Sequence, residues 1–226
     1  MDDEVTVVGA GPNGLAAAVR LAQAGRSVVV YEAGSTVGGG ARTVEVVPGV
    51  RVDVCSAVHP FGAASPFLSS LPLEQHGLRW AQPEILAAHP IEGSRTAYLF
   101  DDIERTAAGL GPDGRRWKRL LGPMIDHWGQ LADSVLGPVL RVPRHPVLLA
   151  RFGLRALPPA TWVTRGFAEA EAAALFAGVA AHTMLPLERP LTSAVGVAMT
   201  AAADVRGWPL AVGGSQAIAD ALADHL

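Results

Sequence analysis

The sequence predicts an α/β protein that opens with a βαβ unit. Three segments indicate this: a buried strand over residues 5–9, a helix over 15–24 that follows a glycine-rich turn, and a second buried strand over 27–32. Short β-branched runs without charges are typical of parallel strands that are covered on both faces. The segments together occupy about 30 residues, which is the size of a βαβ unit.

The rest of the chain mixes short strands with helices. Residues 43–58 predict a strand pair with a turn at Pro48-Gly49, and Asp101-Asp102 are expected to cap a mainly helical stretch that ends near residue 135. Gly25 stands where a glycine commonly ends a helix. Further strands are predicted at 77–80 and 95–100, short helices and loops at 136–159, and helices near 166–182, 190–203 and 214–225.

Composition excludes several classes of protein. Half of the 226 residues are hydrophobic and 17% are charged, which allows a large core. The net charge of −3, with no block of basic residues, does not favour nucleic acid as a partner. The single cysteine, Cys55, excludes an internal disulfide and predicts a cytoplasmic location. The longest uncharged stretch, 172–187, is too short for a membrane span and contains a proline.

The turn after the first strand fits the G-x-G-x-x-G pattern. Gly9 allows a tight turn, Gly11 lets the backbone approach a pyrophosphate, and Gly14 lets the helix pack closely on the strand. The first turn of the helix also offers free N–H groups and a partial positive charge. We therefore expect a Rossmann-like site for an adenine dinucleotide that includes Pro12 and Asn13.

An acidic residue ends the second strand. Glu32 lies where a carboxylate accepts hydrogen bonds from the adenosine ribose, and Ala33 beside it is included in the expected site. A carboxylate here would repel the 2′-phosphate of NADP. It does not separate FAD from NAD.

A second glycine turn follows directly after this acid. Gly38, Gly39 and Gly40 precede Arg42, whose guanidinium is suited to a pyrophosphate or a flavin oxygen. A plain surface loop is the alternative interpretation. In combination with the first turn, the second one favours a long ligand, and we predict FAD contacts at Gly39, Gly40 and Arg42.

No metal site is predicted. Asp53, Cys55 and His59 share one face of a possible strand, but structural zinc usually takes four ligands from recurrent Cys and His pairs. A half-buried strand that runs into a loop is the simpler interpretation.

Two segments carry a resemblance to a known family. Residues 5–43 resemble the FAD fingerprint and following GG motif of the phytoene desaturase-like, amine-oxidase-related flavoproteins. Residues 209–222, with Gly213-Gly214, resemble the segment by which these proteins return to the FAD domain. The resemblance implies a glutathione-reductase-type FAD domain with a discontinuous, partly helical substrate domain. The implied boundaries are 1–75 for the FAD domain, 76–207 for the substrate domain and 208–226 for the return segment.

The resemblance also implies an activity. Such an enzyme transfers a hydride from a lipophilic or amine-like substrate to flavin, and the cofactor carries the chemistry. Ser56 and His59 are implied neighbours of the flavin, and no catalytic residue is assigned. One alternative is an NAD-dependent dehydrogenase. Another is a non-catalytic FAD-binding fragment or subunit that needs a second chain, because family members continue past the return segment and the C-terminal part of the fold is missing here.

Residues 136–157 have a composition that is compatible with peripheral contact to a membrane. This segment is rich in valine, leucine, arginine and proline, and basic, apolar segments bind lipid interfaces. The prolines break any long amphipathic helix. Packing inside the substrate domain is therefore favoured over peripheral membrane contact.

Overall fold

The computed structural model describes residues 4–92, 95–137 and 142–226. It confirms the predicted α/β class. The strands are β1 (Val5–Val8), β2 (Val28–Tyr31), β3 (Thr43–Val47), β4 (Val50–Asp53), β5 (Trp80–Ala81), β6 (Ala87–Pro90), β7 (Thr96–Leu99) and β8 (Leu210–Ala211). The helices are α1 (Pro12–Gln23), α2 (Pro60–Ala63), α3 (Pro66–Ser69), α4 (Ile103–Gly109), α5 (Gly114–Ile125), α6 (Trp128–Val135), α7 (Pro146–Ala156), α8 (Ala160–Thr164), α9 (Ala170–Ala180), α10 (Thr192–Arg206) and α11 (Gln216–His225).

The chain divides into two compact units. Unit 1 comprises residues 1–59, 67–82 and 209–226, and unit 2 comprises residues 60–66 and 83–208. Each unit is therefore built from segments that are distant in sequence. The assignment of an FAD domain and a substrate domain at 1–75, 76–207 and 208–226 stays a prediction.

Unit 1 begins with the predicted βαβ unit. β1 and β2 pair in parallel from Val5 opposite Val28 to Val8 opposite Tyr31. The helix between them starts at Pro12, earlier than residue 15, because Pro12 stands at its first position, where a missing N–H costs nothing. Gly25 follows the helix with φ of +79°, as expected for a glycine at this position.

The core of unit 1 joins both ends of the chain. Leu15 and Val19 on α1 pack with Ile218 and Leu222 on α11, and each of these side chains is less than 5% exposed. Burying a leucine side chain contributes roughly 1.5–3 kcal/mol, so this contact holds the C-terminal helix on the βαβ unit.

Two antiparallel pairs complete unit 1. β3 pairs with β4 through a turn in which Gly49 has φ of +81°, as predicted at Pro48-Gly49. β5 pairs with β8 over two residues. The predicted strand at 77–80 was largely wrong, because residues 73–76 form a 3-10 helix that ends at a left-handed Gly77.

Unit 2 is mainly helical. Its core contains Trp117 and Leu121 from α5, Phe176 from α9 and Val197 from α10, all at most 1% exposed. Gly196 lets α10 approach α9, because a Cβ at this position would lie 2.9 Å from the ring of Phe176. The hairpin of β6 and β7 belongs to this unit. Within the described ranges, no helix has the length and apolarity needed to cross a membrane.

Candidate functional site

The first glycine turn connects β1 to α1. Gly9 has φ of +95°, and its N–H donates to the Tyr31 carbonyl over 2.7 Å. Gly11 is the N-cap of α1, and Pro12 and Asn13 form the first turn. Because a glycine cap has no side chain to accept hydrogen bonds, the first N–H groups of the helix stay available to a ligand.

The third glycine of the motif fixes the distance between helix and strand. A Cβ on Gly14 would overlap the carbonyl oxygen of Gly9 and lie 3.7 Å from Val7 Cγ1. Only glycine lets the start of α1 approach the end of β1 this closely.

The second glycine turn meets the first. Gly38 and Gly39 have φ of +115° and +52°, and Gly39 opens a single turn of 3-10 helix at Gly39–Ala41. The N–H of Gly38 donates to the Ala10 carbonyl over 2.8 Å. A Cβ on Gly39 would lie 3.2 Å from the Cα of Gly11. The two turns, which are distant in sequence, thus form one side-chain-free surface at the N-terminus of α1.

The carboxylate of Glu32 lies against this surface. Its Oε2 accepts from the Ala10 N–H over 2.7 Å, and its Oε1 accepts from the Gly34 N–H over 2.8 Å. Hydrogen bonds from the backbone of Gly34, Ala10 and Ala33 hold the pKa of Glu32 below its usual 4.5, with a contribution from the charge of Arg42. Glu32 is therefore ionised at neutral pH. Its partly exposed oxygens keep lone pairs for further donors.

Arg42 folds back over its own turn. Its Nε donates to the Gly39 carbonyl over 2.9 Å, and its charge is close enough to Glu32 to lower the pKa of that carboxyl group. Gly40 faces Cys55, and a Cβ there would lie 3.5 Å from Cys55 Sγ. The structure therefore brings all ten predicted residues into two adjoining turns and the end of β2.

A polar network beside the turns ties the return segment to the hairpin of β3 and β4. Asp53 Oδ1 accepts from Thr43 Oγ1 over 2.6 Å and from the Ser215 N–H over 2.8 Å. Ser215 Oγ donates to the Ser56 carbonyl over 2.6 Å and lies 2.7 Å from His59 Nε2. Because the hydroxyl proton is used on Ser56, His59 Nε2 is the donor to Ser215.

Burial and hydrogen bonding set the charges in this network. Burial raises the pKa of Asp53, but the hydrogen bonds from Thr43 and Ser215 outweigh it and hold the pKa below 3.8. Burial lowers the pKa of His59 below 6.5, against the opposing charge of Asp53. Asp53 and His59 thus hold Ser215, and Cys55 is exposed. Among the described residues, no group of three His, Cys, Asp or Glu side chains is arranged to hold a metal ion.

The sequence reasoning missed Thr43 and Ser215. The predicted hairpin contained a signal for the first, since Thr43 pairs directly with Asp53 across β3 and β4. Ser215 had no such signal, because its partner lies 162 residues away in the chain. Ala10 was also missed, although its N–H and carbonyl link Glu32 and Gly38.

Known proteins are similar to the segment of the glycine turns and to most of the chain. Residues 7–71 match the family of NAD(P)-binding Rossmann-like domains. Hydroxyneurosporene desaturase from Cereibacter sphaeroides is 32% identical over 164 residues, which are 70% of this chain and 32% of the desaturase. The resemblance to the desaturase- and amine-oxidase-related FAD oxidoreductases is confirmed.

Solved structures show the same fold. A putrescine oxidase redesigned for cofactor binding superposes with a TM-score of 0.59 at 24% identity, over 98% of this chain and 48% of the oxidase. Cyclohexylamine oxidase from Brevibacterium oxydans gives a TM-score of 0.53 at 22% identity, over 99% of this chain and 49% of the oxidase. The chain thus spans about a third of the desaturase and about half of each oxidase.

The cofactor that these comparisons support is FAD. The Rossmann-like βαβ unit is common to FAD and NAD proteins, so its match alone does not separate the two. FAD is the cofactor that the second glycine turn predicted.

Proposed function

We propose that the two glycine turns bind the ADP portion of FAD and that the protein is an oxidoreductase of the desaturase or dehydrogenase type. In this reaction FAD supplies the hydride acceptor when it is bound. The observation that carries the proposal is the contact between Gly11 and Gly39 at the N-terminus of α1, beside an ionised Glu32. A surface without side chains next to free helix N–H groups fits a pyrophosphate.

The first glycine turn is proposed to bind the phosphates. In the proposed complex the N–H groups at Asn13 and Gly14 donate to phosphate oxygens, and Gly9, Gly11 and Pro12 shape the turn that presents them. The residues proposed to bind FAD are Gly9, Gly11, Pro12, Asn13, Gly14, Glu32, Ala33, Gly39, Gly40 and Arg42.

The carboxylate and the guanidinium are proposed to contact neighbouring groups of the adenosine diphosphate, the ribose and the pyrophosphate. Glu32 accepts hydrogen bonds from the ribose hydroxyls through lone pairs that its backbone partners leave unused. Arg42 places a positive charge beside the second turn, where it offsets the charge of a pyrophosphate. The bond from Arg42 to Gly39 keeps the guanidinium at this turn.

We further propose a lipophilic or amine-like small molecule as the hydride donor. The support lies in the relatives: one is a desaturase of hydroxyneurosporene, and the oxidases are named for putrescine and cyclohexylamine. No residue is assigned as a catalytic acid or base, which agrees with a reaction in which the flavin carries the chemistry.

Gly11→Val tests the cofactor site. Gly11 has φ of −71°, and a Cβ there meets only Gly39 Cα at 3.9 Å, so the backbone at this position accepts a Cβ. Its side chain would occupy the space of the pyrophosphate. We expect FAD affinity to fall by a factor of 100 or more, a loss of roughly 3 kcal/mol, measured by calorimetry with FAD.

The matched control is Gly129→Ala on α6, where an added Cβ meets no atom within 4 Å. It should leave FAD affinity unchanged, and circular dichroism should report a folded protein for both variants. Unchanged FAD affinity in folded Gly11→Val protein would place the dinucleotide elsewhere. Titration with NADH in the same assay addresses the NAD-dependent dehydrogenase: tighter binding of NADH than of FAD would favour it.

A second candidate is a non-catalytic FAD-binding chain that needs further polypeptide. The sheet of unit 1 favours this alternative. Val8 is 84% exposed and Tyr31 is 60% exposed, although parallel strands are normally covered on both faces. The outward valines of β3 and β4 are between 42% and 56% exposed. Such apolar surface favours a covering segment or a second chain.

A further inference from the structure

One stretch of the sequence carries basic residues without acidic ones. Between Asp133 and Glu169 there is no aspartate or glutamate, whereas the whole chain has a net charge of −3. Among the described residues of this stretch, four arginines remain: Arg144, Arg151, Arg155 and Arg165. Helices α7 and α8 thus lie in a stretch that carries positive charge and no carboxylate of its own.

The outward face of α7 is mainly apolar. Val147, Ala150, Arg151, Leu154 and Leu157 are all exposed and follow the spacing of one helix face. Val147 is 66% exposed, Leu154 is 74% exposed and Leu157 is 58% exposed. We call these five residues the outer face of α7. A helix at the surface of a soluble protein normally turns polar residues outward. The apolar outer face of α7 therefore indicates a neighbour that is less polar than water.

The opposite face of α7 is held in the core. Leu148 and Ala156 are buried, and Phe152 packs against the same hydrophobic core. The sequence favoured packing of this segment inside the substrate domain. Such packing accounts for the buried face of α7 and leaves its outer face unexplained. The exposure of the outer face is therefore set by tertiary packing.

Basic side chains border the outer face. Arg155 Nε donates to the Leu120 carbonyl over 3.0 Å, which fixes α7 beside α5. As a result Arg116, Arg119 and Leu154 line one cavity of about 280 Å³. Val163 of α8 lines it too, and its neighbour Trp162 is 65% exposed. Within the described residues, Arg119 and Arg151 form no ion pair, so both are available to an anionic partner.

We propose that the outer face of α7 and its arginine border dock onto the surface of an anionic lipid bilayer. Exposed leucine and valine side chains enter the interfacial region of a bilayer, and arginines pair with anionic headgroups. Tryptophan is also favoured at this depth. The combination of apolar side chains with unpaired positive charge, in a protein of negative net charge, fits anionic lipid. The proposal does not depend on the FAD site.

Vesicle flotation tests this surface. The probe vesicles contain 70% phosphatidylcholine and 30% phosphatidylglycerol, and vesicles of phosphatidylcholine alone are the comparison. We expect the protein to float with the anionic vesicles at low salt and to be released at 0.5 M NaCl. The double variant Arg151→Glu/Leu154→Glu should bind at least roughly tenfold more weakly, because it replaces attraction by repulsion and removes apolar area.

The control is Val205→Glu, which adds a charge at another exposed apolar position of unit 2. It should float like the unaltered protein, and thermal unfolding should be alike in both variants. Absence of flotation of the unaltered protein would overturn the proposal, as would equal flotation of the double variant and the control. Self-association that light scattering detects and the double variant abolishes, without vesicle binding, would assign the face to a second copy instead.

Discussion

Asp204 on α10 has its carboxyl group partly buried and close to other negative charges. Burial raises its pKa, and the charges of Asp102, Asp101 and Asp126 raise it further, to about 6. A carboxyl group with an ordinary pKa of 3.8 in the unfolded chain therefore binds its proton more tightly in the folded one. The folded state loses stability as the pH rises from about 4 to about 6, and the cost is constant above that range.

Asp204→Asn is expected to remove this pH dependence. Asparagine is neutral at every pH, and its oxygen keeps the hydrogen bond from Ile103. At pH 7 the variant should be more stable by about 1 kcal/mol, after allowance for the exposure of the group. Urea unfolding between pH 4 and pH 7 measures it. A difference between variant and unaltered protein that is the same at both ends of this range would contradict the raised pKa.

Some residues of the site could be predicted from the sequence because their spacing alone fixes their place. Gly9 and Gly14 stand at fixed distances in a motif whose backbone demands are known, so their places followed from spacing alone. The bond from Glu32 to Ala10 did not, because a carboxylate at the end of a strand has several partners within reach. Only the folded loop determines that Ala10 and Gly34 are its donors.

At the scale of elements, the close approach of α1 to β1 is a condition for the fold of unit 1. Gly14→Ala places a Cβ against the Gly9 carbonyl oxygen, and the backbone of Gly9 is held by the hydrogen bond from its N–H to the Tyr31 carbonyl. We expect a loss of about 1–3 kcal/mol in the free energy of unfolding, as in other overpacked sites. Chemical denaturation monitored by circular dichroism gives the value.

Gly129→Ala again provides the matched change, in a helix where the added methyl group meets open space. It should be neutral or stabilise the protein by up to about 1 kcal/mol. If Gly14→Ala were as stable as this variant, the helix would have moved away from the strand without cost. Gly14→Ala and Gly11→Val thus separate folding from cofactor binding.

Elements with local signals were predicted well. Asp102 caps α4 by accepting from the N–H groups of Glu104 and Arg105, as expected from its place before a helical stretch. β6 was not predicted, and β5 overlaps the predicted strand only at Trp80, because short strands depend on their partners. β5 pairs with β8, and its register of Trp80 opposite Ala211 joins residues that no local pattern connects.

At the scale of the whole molecule, the exposed sheet surfaces of unit 1 lead to a test between two candidate functions. One is an oxidoreductase formed by this chain alone, and the other is a non-catalytic FAD-binding chain that needs further polypeptide. If this chain alone encloses the flavin, iodide should quench the fluorescence of its bound FAD less than that of free FAD. If further polypeptide is needed, the bound isoalloxazine should be quenched like free FAD while the adenosine half is held. Quenching like free FAD would argue against an active enzyme formed by this chain alone.

The sequence by itself determined the βαβ unit, its glycine turns, the acid after the second strand and the hairpin at Pro48-Gly49, because each depends on backbone preferences within a few residues. Only the tertiary structure decided that Gly39 meets Gly11, that Ser215 is held by Asp53, and that one face of α7 is left exposed. These contacts depend on how distant segments pack. Local preferences limit the conformations of each segment, and burial of the joint core selects among their arrangements.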